Sequence, residues 1–175
     1  MRRRRGSAVG TGRGLGEGVS RIGAGRVTIS TEMAALVDTN VLVYRFDYRF
    51  PQKQRIAADL LRQGIADDSL RLPHQALLEF VAVVTRPIER SRPILTLEVA
   101  YREAEELLSQ FDVLYPTDPM VRTALRGAAA YRLSWFDAHL WAYAEHYGLD
   151  ELISEDFQHG RLYGTVRAIN PFLNP

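Results

Sequence analysis

Four carboxylates stand where a folded chain would put them to chemical use: Asp38, Glu79, Asp137 and Asp156. Asp38 directly follows a short apolar run at 34–37. Asp156 lies three positions beyond the apolar pair Leu152-Ile153. Asp137 sits in Ser134-Trp135-Phe136-Asp137, where a helix is expected to begin. Glu79 is flanked by Leu77, Leu78, Phe80 and Val81, and its helical neighbours at three and four positions are Gln75, Ala76, Ala82 and Val83. A helix apolar nearly all round is expected to be buried. A glutamate inside it must be paired or must ligate a cation, because a bare buried charge is costly. Each acid also has a structural reading. Asp38 and Asp156 suit Asx turns or helix caps. Asp137 suits a capping box with Ser134, and Glu79 suits a narrow polar helix edge paired with an arginine. Taken together, four carboxylates at one place repel one another, which raises some of their pKa values. A divalent cation resolves that repulsion. All-oxygen donors favour Mg²⁺ or Mn²⁺ over zinc, and such an ion activates water for in-line displacement at phosphorus.

The elements that must position these residues alternate in type. Apolar runs at 34–37, 70–73, 113–115 and 152–153 read as short strands, with a fifth expected at 165–169. Between them lie helical patterns. One starts at Val41, one is opened by Pro51, one runs over 75–85 and stops before Pro87, and one is capped by Thr96. Another begins at Thr117-Asp118-Pro119, and the last runs from Ser134 to a close near Gly148. Strands alternating with helices imply βαβ units and an α/β fold with a central, mainly parallel sheet of four to five strands flanked by helices. In such sheets the site lies beyond the carboxyl ends of the strands, where Asp38 and Asp156 fall.

Charge divides the chain. The 175 residues carry a formal net charge of +1. Residues 1–32 hold seven arginines against Glu17 and Glu32, a net +5, together with eight of the 13 glycines. This Gly/Arg-rich stretch has no apolar periodicity and reads as a disordered basic extension. It is either an arm that grips nucleic acid or a stretch preceding a true start at Met33. Residues 33–175 hold 15 basic and 19 acidic groups, a net −4, and read as one domain. Cysteine is absent, which excludes disulfide scaffolds, thiolate zinc sites and cysteine nucleophiles and fits a cytoplasmic location. No apolar run approaches the ~18 residues of a membrane span.

With these motifs in order, residues 34–172 resemble the PIN-domain ribonucleases, in particular the VapC-type toxins of bacterial toxin–antitoxin pairs. The opening strand and Asp-Thr-Asn are matched by Ala35-Leu36-Val37-Asp38-Thr39-Asn40-Val41. The glutamate of an apolar helix is matched by Leu78-Glu79-Phe80, with Thr85-Arg86-Pro87 at the helix exit. The aromatic-Asp-Ala helix start is matched by Trp135-Phe136-Asp137-Ala138, and the Ser/Thr-x-Asp after a strand by Ser154-Glu155-Asp156-Phe157. The resemblance implies a PIN-like α/β/α sandwich and an endoribonuclease that uses Mg²⁺ or Mn²⁺. It implies Asp38, Glu79, Asp137 and Asp156 as metal ligands and catalytic acids, with Asn40 and Ser154 orienting them. It further implies an RNA substrate, a cognate antitoxin and a homodimer. Residues 1–32 have no counterpart in it.

Other readings compete. A dehalogenase-like phosphohydrolase also places Asp after its first strand, but wants a second Asp two positions on, where this chain has Asn40. A catalytically silent PIN-like domain that binds nucleic acid or a protein partner is the non-enzymatic alternative. Glu155 stands beside Asp156 and is a candidate to substitute for it. Arg45, Arg49, Lys53, Arg55, Arg86, Arg90 and Arg92 are candidates to meet phosphates. Tyr44, Phe46 and Tyr48 are candidates to stack bases. His139 and His146, seven apart on one helix, read as structural.

Overall fold

The computed structural model describes residues 34–87 and 92–173. The expected basic extension at 1–32 therefore lies outside the described residues, as does Arg90. The chain runs β1 (Ala35–Val37), α1 (Thr39–Tyr44), α2 (Pro51–Asp67), β2 (Leu70–Pro73), α3 (His74–Val84), α4 (Leu97–Gln110), β3 (Asp112–Leu114), α5 (Asp118–Tyr131), α6 (Trp135–Tyr147), β4 (Glu151–Ile153), β5 (Leu162–Tyr163) and β6 (Val166–Ile169).

The strands form one sheet in the order β3-β2-β1-β4-β6-β5. All neighbours pair in parallel except β5 with β6. The sheet thus has six strands where four to five were expected. The addition is β5, a two-residue strand joined to β6 by a tight turn in which Gly164 takes φ +64. A Gly-X pair between short strands is a hairpin signal, but two residues carry too little periodicity to be read as a strand.

β1 is wholly buried because both of its faces are covered. Ala35 and Val37 face a core formed with α1, α2, α3 and α4, whereas Leu36 faces the opposite core, which includes α5 and α6 residues. This period-2 division of one strand between two cores makes the α/β/α sandwich. The strand order carries the functional consequence. From β1 the chain builds outward through β2 and β3, then returns to the other side of β1 with β4. The order reverses between β1 and β4, and a crevice opens beyond the carboxyl ends of strands at such a reversal.

α3 departs from expectation. It is not buried all round, since Leu78 is 61% exposed and Val83 is also exposed. Its apolar character serves the core only through Ala76, Leu77, Phe80 and Val84, which leaves Glu79 half-buried on the margin of the helix.

Candidate active site

The crevice at the β1–β4 reversal is a groove of about 330 Å³ whose lining includes Asp38, Glu79, Asp137 and Asp156. Each acid arrives on a different element. Asp38 ends β1 and caps α1, accepting the Thr39 N–H at Oδ1 (2.6 Å). Glu79 comes from the middle of α3, Asp137 from the first turn of α6, and Asp156 from the segment after β4. The structural and site readings of Asp38 and Asp137 coexist. Ser134 Oγ caps the Asp137 N–H (3.2 Å) and donates to its Oδ2 (2.7 Å), so the cap also fixes the carboxylate.

Asn40 and Ser154 tie the two sides of the reversal together. Ser154, fully buried, donates from Oγ to Asp38 Oδ2 (2.6 Å) and accepts the Asp156 N–H (3.1 Å). The Asn40 amide lies 2.8 Å from Asp38 Oδ2, 3.2 Å from Asp156 Oδ2 and 3.3 Å from Ser154 Oγ. Its own Oδ1 is buried without a hydrogen-bond partner. An orphaned carbonyl costs roughly 1–3 kcal/mol, but the opposite orientation would aim that carbonyl at two carboxylates. The acids therefore set which way the amide points.

Glu79 is held by groups that sequence reasoning passed over. Thr39 Oγ1 donates to its Oε2 (2.9 Å) and Gln75 Nε2 to its Oε1 (2.9 Å). Because Gln75 presents its NH₂ to Glu79, its Oε1 must accept from His139 Nδ1 (2.8 Å). His139 therefore carries its proton on Nδ1, and burial lowers its pKa against the opposing pull of Glu79. A His–Gln–Glu chain thus links α6 to α3. Its sequence signal was the i, i+4 spacing of Gln75 and Glu79. Among the described residues no arginine pairs with Glu79; its partners are a hydroxyl and an amide.

Glu155 does not stand in for Asp156. It is bound by the Tyr44 hydroxyl (2.5 Å) and by Lys53, whose ammonium lies 4.3 Å from the centre of the Tyr44 ring. Tyr44 and Phe46 pack against Phe172 and Phe80 respectively, so they are not free base-stacking platforms. Tyr48 is exposed.

Electrostatically the site is tense at Asp38. This carboxyl is 7% exposed, and its pKa is raised to about 7. Burial is the main cause, the charges of Asp156 and Glu79 add to it, and the Ser154 hydroxyl and Thr39 amide oppose it. Among the described residues no three His, Cys, Asp or Glu side chains stand close enough together to hold a metal ion between them. The donor set still fits a hard cation. It is all oxygen, it carries excess negative charge, and Mg²⁺ usually keeps several waters while taking one or two carboxylates directly.

The sequence matches the family described as PIN domain over residues 35–164. No curated protein matches it. Among solved structures, the chain is similar to one from a toxin–antitoxin complex of Klebsiella pneumoniae, at 19% identity and TM-score 0.56, covering 79% of this chain and 98% of that one. It is similar to a chain of DNA-bound VapBC from Salmonella typhimurium, at 13% identity and TM-score 0.58, covering 78% and 96%. It is also similar to Mycobacterium tuberculosis VapC20, described as a sarcin-ricin loop cleaving toxin, at 16% identity and TM-score 0.50, covering 68% and 87%. At these identities the likeness speaks for a shared fold. The family match takes in β1 through the β5–β6 turn and with them Asp38, Glu79, Asp137 and Asp156, and this protein belongs to the PIN domain family.

Proposed function

We propose that this protein is a metal-dependent endoribonuclease, using Mg²⁺ or Mn²⁺, and the toxin of a toxin–antitoxin pair. The observation that carries the reading is that four carboxylates from four separate elements line one groove at the strand-order reversal. Asp38, Glu79, Asp137 and Asp156 would hold the ion, which when bound supplies an activated water and neutralises charge at the scissile phosphate. The chain's own part is positioning. Asn40 and Ser154 lock Asp38 to Asp156 across the β1–β4 junction, Thr39 and Gln75 direct Glu79, and Ser134 directs Asp137. The partners proposed are an RNA substrate, a cognate antitoxin and a second copy of the chain. The antitoxin is supported by the similar folds seen in toxin–antitoxin complexes. No described helix is long and apolar enough to cross a membrane, and the proposed setting is cytoplasmic.

The dehalogenase-like alternative lacks its acid. Asn40 occupies that position and donates hydrogen bonds to carboxylates. The decisive experiment incubates purified protein with single-stranded RNA. Cleavage is expected with Mg²⁺ or Mn²⁺ and not in EDTA, with 5′-phosphate and 3′-hydroxyl ends. The Asp38→Asn protein is expected to lose at least about 10²-fold in rate, since removing even a partner that only orients a metal ligand costs up to about that much. Cleavage persisting in EDTA, or 2′,3′-cyclic phosphate ends, would overturn the metal mechanism. RNA binding without cleavage under any metal would favour the silent binding domain.

A further inference from the structure

A groove lined by five acids, Asp47 among them, repels the strand it is proposed to cut, so the phosphates beside the scissile bond need a cation from the protein. Four basic residues lie between the end of α1 and the first turns of α2, and the structure separates them. Arg45 lies 3.9 Å from Glu103 and over the Phe46 ring. Lys53 is committed to Glu155 and Tyr44. Arg55 is exposed on α2 and does not line the groove. Arg49 does line it, the one Lys or Arg among the described residues that do.

Arg49 is also built into place. Asp47 is 2% exposed and accepts from Arg49 three times, from Nε (2.8 Å), from a terminal guanidinium nitrogen (2.6 Å) and from the backbone N–H (3.1 Å). These bonds hold the Asp47 pKa below its ordinary value, the Arg49 side chain being the largest cause. The guanidinium rests 5.6 Å from the centre of the Phe50 ring. An arginine has five N–H donors in a rigid fork. Asp47 takes two of them, and three remain on a side chain that is still 39% exposed. A solvated surface arginine loses its rotamer freedom when it meets an anion; this one has lost it already.

We infer that Arg49 grips a non-bridging phosphate oxygen of the RNA strand beside the cleaved bond, and that Asp47 is the positioning residue that aims it. The inference rests on the nuclease reading and adds to it a residue that reads the substrate backbone without reading its bases.

The test measures anisotropy of a 5′-fluorescein-labelled single-stranded oligoribonucleotide in EDTA over a range of NaCl concentrations, together with kcat and KM in Mg²⁺. Each phosphate contact to a single strand contributes about 0.7 to the slope of log K against log salt. Arg49→Gln is expected to lower that slope by about 0.7, to weaken binding roughly tenfold and to raise KM more than it lowers kcat. Arg49→Lys keeps the charge, so it is expected to keep the slope while losing part of the affinity. Asp47→Asn is expected to raise KM with the slope unchanged. If Arg49→Gln does not fold, the Arg49→Lys pattern decides alone, and wild-type affinity there overturns the inference. An unchanged slope and KM in folded Arg49→Gln overturns it as well, as does a wild-type protein that cleaves RNA but does not bind it in EDTA. A wild-type protein that neither binds nor cleaves RNA instead overturns the nuclease reading itself.

Discussion

At Asp38 the needs of the fold and of the chemistry oppose each other. Folding buries the carboxyl against a fully buried serine and near two other acids, which raises its pKa from 3.8 to about 7. An acid whose folded pKa lies above its unfolded one favours folding only while protonated. The penalty is absent below about pH 4, grows as pH rises towards 7, and is complete above that. One pKa unit corresponds to about 1.4 kcal/mol, so the cost is on the order of 4 kcal/mol for the metal-free protein. In EDTA, denaturant unfolding should show a wild-type protein less stable at pH 8 than at pH 5. The Asp38→Asn protein keeps the shape without the charge, so its advantage over wild type should widen between those values while its cleavage is lost. Parallel pH profiles for the two proteins would remove Asp38 as the source of the strain. A buried carboxyl that weakens the fold where it stands fits a functional role better than a structural one.

The elements explain why the acids were legible in the sequence, with Asn40, Ser134 and Ser154 beside them, and why the supports of Glu79 were not. Asp38 and Asp156 announce themselves because they terminate apolar runs, and strand ends at the carboxyl edge need no knowledge of packing. Asp137 does so through its Ser-x-x-Asp start. Glu79 stood out as a charge in an apolar helix, yet the inference that α3 is buried all round failed. The periodicity of a helix gives its apolar surface but not what covers it, and Leu78 and Val83 face outward. The roles of Thr39, Gln75 and His139 were not legible for a related reason, since they depend on α1, α3 and α6 meeting in space. α6, which carries His139, packs closely against α5. Gly127 on α5 admits the Trp141 ring of α6, and a Cβ there would lie 2.1 Å from a ring carbon. The ring is fixed besides by its N–H donating to the Tyr163 carbonyl (2.7 Å). Gly127→Ala should therefore force α6 to shift, costing about 1–3 kcal/mol as overpacking does, despite alanine being the better helix former. Thermal unfolding reads the loss, and a stability equal to or above wild type would show that the helix pair has slack.

At the scale of the molecule, the near-neutral net charge conceals a basic leading segment and an acidic domain, and the domain's surface is uneven in a second way. α4 is a charged helix carrying Glu98, Arg102, Glu103, Glu105 and Glu106, yet Leu97, Tyr101 and Leu108 are each about half-exposed on it. Their spacings of four and seven residues bring all three to one side of the helix. An apolar stripe on an otherwise charged helix suits a two-fold contact in which the same patch meets itself, and we propose it as the face of the homodimer. Light scattering at tens of micromolar should then give twice the mass of one chain. Tyr101→Glu sets two like charges against each other at the centre of the stripe, and should give the single-chain mass with an unchanged circular dichroism spectrum. A wild-type monomer would remove the dimer from the proposal. A Tyr101→Glu protein that stays dimeric would instead move the interface off α4, and would leave the groove and its acids as a site that does not depend on which face the second copy covers.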